Sequence, residues 1–180
     1  MTHAPLPAFG PLPASHTVPD LLAEGLRVVF CGTALGRASA EARAYYAHPG
    51  NFFWRTLHAT GLTPRQLEPQ EYPELLSYGI GLTDMCKTAF GNDAQLPEDA
   101  FDVAALRAKI ERYAPGMLAF TSKRAAQAVL ADLGAEGIRY GEQEVTLHGT
   151  RLFVLPSPSG QARKFWKIGP WQELAQAITE

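Results

Sequence analysis

The chain has 180 residues, 46% of them hydrophobic, and a formal net charge of −2. That length buries a full core as one domain without staples; two cysteines, Cys31 and Cys86, supply neither a zinc cage nor a disulfide framework. No stretch approaches the roughly 18 apolar residues of a membrane span, and the N-terminus has no basic n-region or apolar h-region, so the expectation is a soluble, reduced, cytoplasmic protein.

Residues 1–19 hold five prolines and little periodicity, which predicts an irregular arm preceding a single domain over 20–180. Val18-Pro19-Asp20 followed by Leu21-Leu22-Ala23 reads as a capped helical turn, and residues 26–31 as the first strand. Ser39 to Tyr46 reads as a short helix and Asn51 to Thr60 as a longer one, with Phe53, Trp54 and Leu57 at helical spacing. Past the Leu62-Thr63-Pro64 turn, Glu71 to Leu76 should be a short helix leading into a strand near Tyr78 to Leu82. Phe101 to Tyr113 is a helix by its apolar residues 103, 106 and 110. Met117 to Thr121 is a strand, and Ser122 to Leu133 a helix capped by Thr121 or Ser122. Val145 to Leu147 and 151–155 are strands, and Trp171 to Ile178 closes the chain as a helix. Alternation of strand and helix predicts an α/β fold, a three-layer α/β/α sandwich around a mainly parallel sheet.

Two small-residue loops follow strands in this reading: Cys31-Gly32-Thr33-Ala34-Leu35-Gly36 and Pro156-Ser157-Pro158-Ser159-Gly160. In an open α/β sheet, loops at the carboxyl ends of strands flank the ligand crevice. Charge is unevenly spread. Residues 25–67 carry five arginines against one acid, residues 145–172 four cations and no acid, and residues 68–111 nine acids against three cations. If the first and last segments meet, one face is basic and suits a nucleic acid; ordinary surface charge is the plain alternative.

Three blocks together resemble the mismatch-specific uracil-DNA glycosylases: Gly32-Thr33-Ala34-Leu35-Gly36, Ala47-His48-Pro49-Gly50-Asn51-Phe52-Phe53-Trp54, and Ser157-Pro158-Ser159-Gly160-Gln161-Ala162-Arg163. The resemblance runs over roughly residues 26 to 178. The second block follows the family pattern almost residue for residue. The first keeps both flanking glycines, but Ala34 stands where the family has the asparagine that positions the attacking water. In the third, Ser157 and Gln161 replace a family asparagine and leucine, while Arg163 is kept.

The resemblance implies the uracil-DNA glycosylase fold, hydrolysis of an N-glycosidic bond in base excision repair, and no cofactor or metal. The partner would be duplex DNA carrying uracil or a mismatch, with single-stranded DNA also open. The protein would work as a nucleoid-associated monomer. Tyr46 would stack on the flipped base, and the backbone around Gly32, Thr33 and Ala34 would read its edge. Asn51 would sit at the base site as well; as residue types, His48 and Asn51 fit structural hydrogen bonding at a loop-to-helix junction better than catalysis. The loop Ser157, Pro158, Ser159, Gly160, Gln161 would enter the duplex beside the flipped base, with Arg163 on a phosphate or the opposite strand. Ser122 and Lys123 stand at a strand-to-helix junction whose N-terminal N–H groups and neighbouring cations suit a phosphate, and the stretch 120–124 resembles the family's Gly-Lys segment.

With Ala34 silent, two acids remain candidates for orienting water: Asp93, at the tip of a Gly-Asn-Asp turn, and Asp84, nearer the sheet. Asp93 is preferred. Core packing is the plain account of Phe53 and Trp54, and solvated surface that of either acid. Two rival functions stay open: a damaged-DNA binding module that lost hydrolysis with the asparagine, and a glycosylase for deaminated purines such as hypoxanthine.

Overall fold

The computed structural model describes residues 5–179. In chain order the elements are β1 (Gly10–Pro11), β2 (Val28–Gly32), α1 (Arg37–Ala42), α2 (Phe53–Ala59), β3 (Ile80–Asp84), β4 (Ala89–Phe90) and α3 (Val103–Tyr113), then β5 (Met117–Phe120), α4 (Lys123–Asp132), β6 (Gly141–Leu147), β7 (Thr150–Val154) and α5 (Gly169–Thr179). Five strands form the main sheet in the order β3-β2-β5-β7-β6, parallel except for the β6–β7 hairpin. β1 and β4 make a separate antiparallel ribbon.

Every residue of β2, β3 and β5 is buried, because helices cover both faces of the sheet and leave no solvent side. Successive side chains of β2 divide between two cores by the period of two that a strand imposes. Val28 and Phe30 join Phe53, Leu57 and Trp171 from α2 and α5. Val29 and Cys31 join Leu106, Ile110, Ala125 and Val129 from α3 and α4. The Phe30 ring meets Phe53 edge-on at 5.3 Å and stacks on Trp171 at 5.7 Å, so this aromatic cluster fixes α2 and α5 against β2. The architecture is the expected three-layer α/β/α sandwich. Cys31 and Cys86 are buried free thiols, and no helix among the described residues is long and apolar enough to cross a membrane.

Local chemistry moved several boundaries. The helical turn expected at Leu21 to Ala23 is absent: Leu21 pairs with Leu82 through reciprocal 2.9 Å backbone hydrogen bonds. The Asp20 side chain, expected to cap that turn, instead accepts from Thr83 Oγ1 at 2.8 Å. The helix expected to reach Tyr46 ends at Ala42, because Arg43 and Tyr46 take left-handed backbone angles, φ 51° and 52°. Residues 69–78 form a 3-10 helix started by a Glu68/Glu71 capping box and ended by left-handed Gly79, and this delays β3 to Ile80. Of the two candidate caps, Ser122 starts α4, its hydroxyl accepting from Ala125 N at 3.0 Å. Residues 160–165, expected as loop, coil into a 3-10 helix that kinks at Ala162. Within the N-terminal arm, residues 14–16 form a 3-10 turn and residues 10–11 the strand β1, neither expected from the proline-rich composition. Residues 1–4 and 180 lie outside the described residues.

Candidate functional site

The carboxyl ends of β2, β3, β5 and β7 lie side by side, and the loops that leave them gather at one edge of the sheet, where an open α/β sheet keeps its ligand crevice. Gly32 ends β2 in register with Asp84 at the end of β3. A Cβ on Gly32 would lie 2.8 Å from Asp84 Oδ1, 3.4 Å from the Tyr46 hydroxyl and 3.5 Å from Thr121 Oγ1. Any side chain there would drive these groups apart. Three polar side chains from separate segments thus converge on one bare Cα, and Tyr46 and Thr121 share a 3.2 Å hydrogen bond.

Asp84 is buried, 5% exposed. Its Oδ2 has no hydrogen-bond partner among the described residues, although Lys87 Nζ stands 3.6 Å away. Burial pushes its pKa above the ordinary carboxylate value; Asp20 pushes the same way, while Lys87 and Lys109 oppose. Behind it runs a chain of alternating charge. Lys87 reaches Asp20 Oδ1 at 2.9 Å, Lys109 reaches Asp20 Oδ2 at 2.6 Å, and Lys87 donates to the Tyr45 hydroxyl at 3.2 Å. Burial works to raise the Asp20 pKa, but the two lysines outweigh it and hold that carboxylate below its usual range.

The loop after β2 is stitched to the segment after β3. The carbonyls of Gly32, Thr33 and Leu35 accept from Met85, Cys86 and Gly91 N at 2.8, 2.8 and 2.9 Å. The same lacing carries Asp93 to the loop, where its Oδ1 accepts from Thr33 Oγ1 at 2.5 Å. Asp93 is half-buried and adjoins the residue before Ala34, while Asp84 lies at the sheet end beneath.

On the opposite side, the second and third blocks lock together. Phe52 N donates to Pro158 O at 2.8 Å, and the backbones of Gly50 and Gly160 approach closely enough that a Cβ on Gly160 would lie 3.2 Å from Gly50 O. His48 Nδ1 accepts from Gly50 N at 2.9 Å and Asn51 Oδ1 from Phe53 N at 2.9 Å, so both side chains shape the entry to α2. Arg163 and Arg55 flank the Phe52 ring at 5.4 and 3.8 Å. Ser157 and Ser159 hydroxyls accept from backbone N–H groups two residues on, at 3.3 Å, which fixes the loop's shape. Gln161, Arg163, Lys164 and Phe165 are exposed beyond it.

Tyr46 joins the two sides. Its ring stacks on Phe53 at 3.9 Å with planes 20° apart, while its hydroxyl reaches Thr121. Burial, with Asp84 adding to it, pushes the phenol pKa well above its ordinary value. Ser122 is committed to capping α4, and the Lys123 ammonium lies 4.5 Å from the Tyr140 ring. No three metal-binding side chains cluster among the described residues.

The structure therefore brings Gly32, Tyr46, Asp84 and Thr121 together, ties Asp93 to Thr33 of the same loop, and locks residues 48–52 to the 157–163 loop. Sequence reasoning missed Thr121 as the partner of Tyr46, and missed the Asp20–Lys87–Lys109 chain. The signal for Thr121 was its place at a strand end beside β2; nothing local marked the ion chain.

The family model of the uracil DNA glycosylase superfamily matches residues 19–175. A solution NMR structure of a candidate uracil DNA glycosylase from Methanosarcina acetivorans superimposes with a TM-score of 0.63 over 92% of this chain and 99% of that one, at 21% identity. That likeness is one of fold. The family match spans every element from β2 to most of α5 and so takes in the whole crevice: the chain belongs to the uracil DNA glycosylase superfamily, whose membership supports a DNA N-glycosylase acting on DNA.

Proposed function

We propose that this protein is a monofunctional, mismatch-specific DNA glycosylase that everts uracil from a mispair and hydrolyses its N-glycosidic bond, working as a monomer without a cofactor. The observation that carries the reading is the Asp93 carboxylate held 2.5 Å from Thr33 Oγ1, on the loop whose Ala34 has no polar side-chain atom. Cleavage of the bond develops positive charge on the sugar and negative charge on the departing base. A carboxylate at the rim of the first loop suits the first charge and can orient a water towards C1′. Backbone N–H groups near Thr33 and Ala34 serve the second, since the carbonyls of Gly32, Thr33 and Leu35 are turned to the 85–91 segment.

Asp84 takes a different part. Its carboxyl lies over Gly32 beside the Tyr46 hydroxyl and Thr121, where the edge of an everted base arrives, so it belongs to base reading rather than to the water. Tyr46, backed by Phe53, offers its other face to the base. Asn51 has its carbonyl oxygen engaged by Phe53 N and its amide N–H groups to offer. The 157–163 loop fills the space the base leaves, with Arg163 on the backbone.

Uracil release from G:U duplex and from single-stranded oligonucleotide, under single-turnover conditions, tests the reading with the parent, Asp93→Asn and Asp84→Asn. Release by the parent and a collapse in Asp93→Asn with intact DNA binding are expected. Binding without release by the parent would make the protein a damage-binding module, and normal cleavage by Asp93→Asn would remove Asp93 from the mechanism. Hypoxanthine released in preference to uracil would move the substrate to deaminated purines.

A further inference from the structure

The N-terminal arm lies against the segment that carries Asp93, and its contacts are specific. Gly10 and Pro11 pair antiparallel with Phe90 and Ala89. Leu12 N donates to Thr88 O at 2.8 Å. On its other side, Phe90 bridges in parallel to Leu35 of the first loop, and Gly91 N donates to Leu35 O at 2.9 Å. The first loop, the 89–91 segment and the arm therefore form three adjacent strands of backbone, with the arm outermost.

Gly91 is where the arm closes down. Its φ is +141°, and a Cβ there would lie 2.6 Å from Phe9 Cβ, 3.3 Å from Phe9 Cα and 3.1 Å from Gln95 Oε1. Phe9 thus covers the bare Cα two residues before Asp93. Gln95 Oε1 accepts from Asn92 N at 2.9 Å and closes the turn on which Asp93 sits. Leu6 and Leu12 pack against the core and Leu6 N donates to Glu41 Oε1 at 3.2 Å, which anchors the two flanks of the arm. Between them, beside a hollow of about 460 Å³ lined by Phe9, Pro11, Phe90, Leu96 and Pro97, backbone pairing and Phe9 set how the arm meets the 89–91 segment.

We infer that Phe9 and Gly91 are positioning residues for Asp93: the arm pins the 89–91 segment against the first loop and so sets where the Asp93 carboxylate stands. The inference rests on the reading of Asp93 as the group that orients water. A short ribbon is marginal alone, and β4 gains its second neighbour only from the arm. A displacement of about 1 Å in a reacting group can cost on the order of a hundredfold in rate, so a loose turn would show in chemistry before it showed in stability.

The test is a double-mutant cycle in the full-length chain. Phe9→Gly, which removes the Cβ that lies over Gly91, and Gly91→Ala are made in the parent and in Asp93→Asn, and single-turnover cleavage of a G:U duplex is measured beside affinity for an undamaged duplex. Phe9 is 54% exposed, so its truncation leaves the core intact and keeps the test readable if Gly91→Ala misfolds. In the parent, Phe9→Gly should slow cleavage about three- to tenfold and Gly91→Ala about tenfold or more, with affinity for undamaged DNA kept within about twofold. In the Asp93→Asn background the same changes should alter the residual rate by less than about twofold, because coupled residues fail to add. Equal fold losses in both backgrounds would mean a merely structural role and overturn the inference. A slow Asp93→Asn beside an unimpaired Phe9→Gly and Gly91→Ala would overturn it too, leaving the role of Asp93 standing. Parental cleavage by Asp93→Asn would sink that role and this inference with it.

Discussion

The two acids of the crevice are held in opposite ways. Asp84 ends a central-layer strand, is buried, and faces a chain of charges that also ties down Lys87, Asp20 and Lys109. Asp93 sits on a one-turn helix outside the sheet, half-buried, and reaches the crevice through one hydrogen bond to Thr33 and a ribbon two residues long. Asp84 is as rigid as the sheet, so its setting governs stability and its ionisation. Asp93 is as well placed as its loop, so under the proposed function its setting governs chemistry. Under the proposed function Asp93 therefore depends on the first loop and the ribbon for its place, whereas Asp84 takes its place from the sheet itself.

The largest effect that would break this contrast belongs to Asp93. Asp93→Asn should slow single-turnover cleavage on the order of 10²- to 10³-fold, the range of a positioned acid–base group, with unchanged affinity for undamaged duplex and an unchanged melting temperature. A comparable loss in Asp84→Asn alone would reverse the two roles. Next comes Tyr46→Ala, which removes the proposed stacking face together with the Thr121 hydrogen bond. Base stacking on an aromatic is worth about 1–3 kcal/mol, so a loss of roughly 5- to 150-fold in rate is expected, with Tyr46→Phe keeping most of it.

The ion chain makes a prediction in the opposite observable. Asp20 has its pKa depressed in the fold below the ordinary carboxylate value, so its contribution is present at neutral pH and is lost as pH falls through the folded value. Asp20→Asn should therefore destabilise the protein by about 2 kcal/mol at pH 7, between the surface and buried limits for ion pairs, and by progressively less as pH falls below the ordinary carboxylate range in denaturant titrations. Asp84 has the reverse sign. Its raised pKa means that ionising it costs stability as pH rises. Asp84→Asn should raise the melting temperature at pH 8 by about 2–4 °C, the shift of ~1 kcal/mol in a domain of this size, with the gain shrinking towards pH 4. A melting temperature lowered at both pH values would show that the Asp84 charge supports the fold instead. The smallest effect is expected of Arg163→Ala: a few-fold weaker DNA binding, sequence-independent, with the slope of log affinity against log salt reduced by about one.

Much of the scaffold was legible because its encoding is local. The apolar runs of β2, β5 and β7 and the helical spacing of α3 and α4 are patterns of period two and 3.6 within a dozen residues. Ser122 declares a helix start by the chemistry of its own hydroxyl. Boundaries drifted where a left-handed residue, Arg43, Tyr46 or Gly79, ended one element early or delayed the next, since no side-chain pattern announces that backbone state outside glycine. The arm was illegible as a strand because two residues carry no periodicity, and its pairing partner lies some 80 residues away.

The sequence by itself determined the alternation of strands and helices, which faces are apolar, and the three blocks whose resemblance named the superfamily. Only the tertiary structure decided that Asp93 stands on Thr33 across 60 positions, that Gly32 leaves room for Asp84, Tyr46 and Thr121, and that Asp20 serves two lysines from other segments. The reason is the range of the forces involved. Burial and backbone preference act on neighbours along the chain, whereas strand register and loop closure bring distant groups together only after the sheet exists, and the chemistry of the crevice depends on that second step.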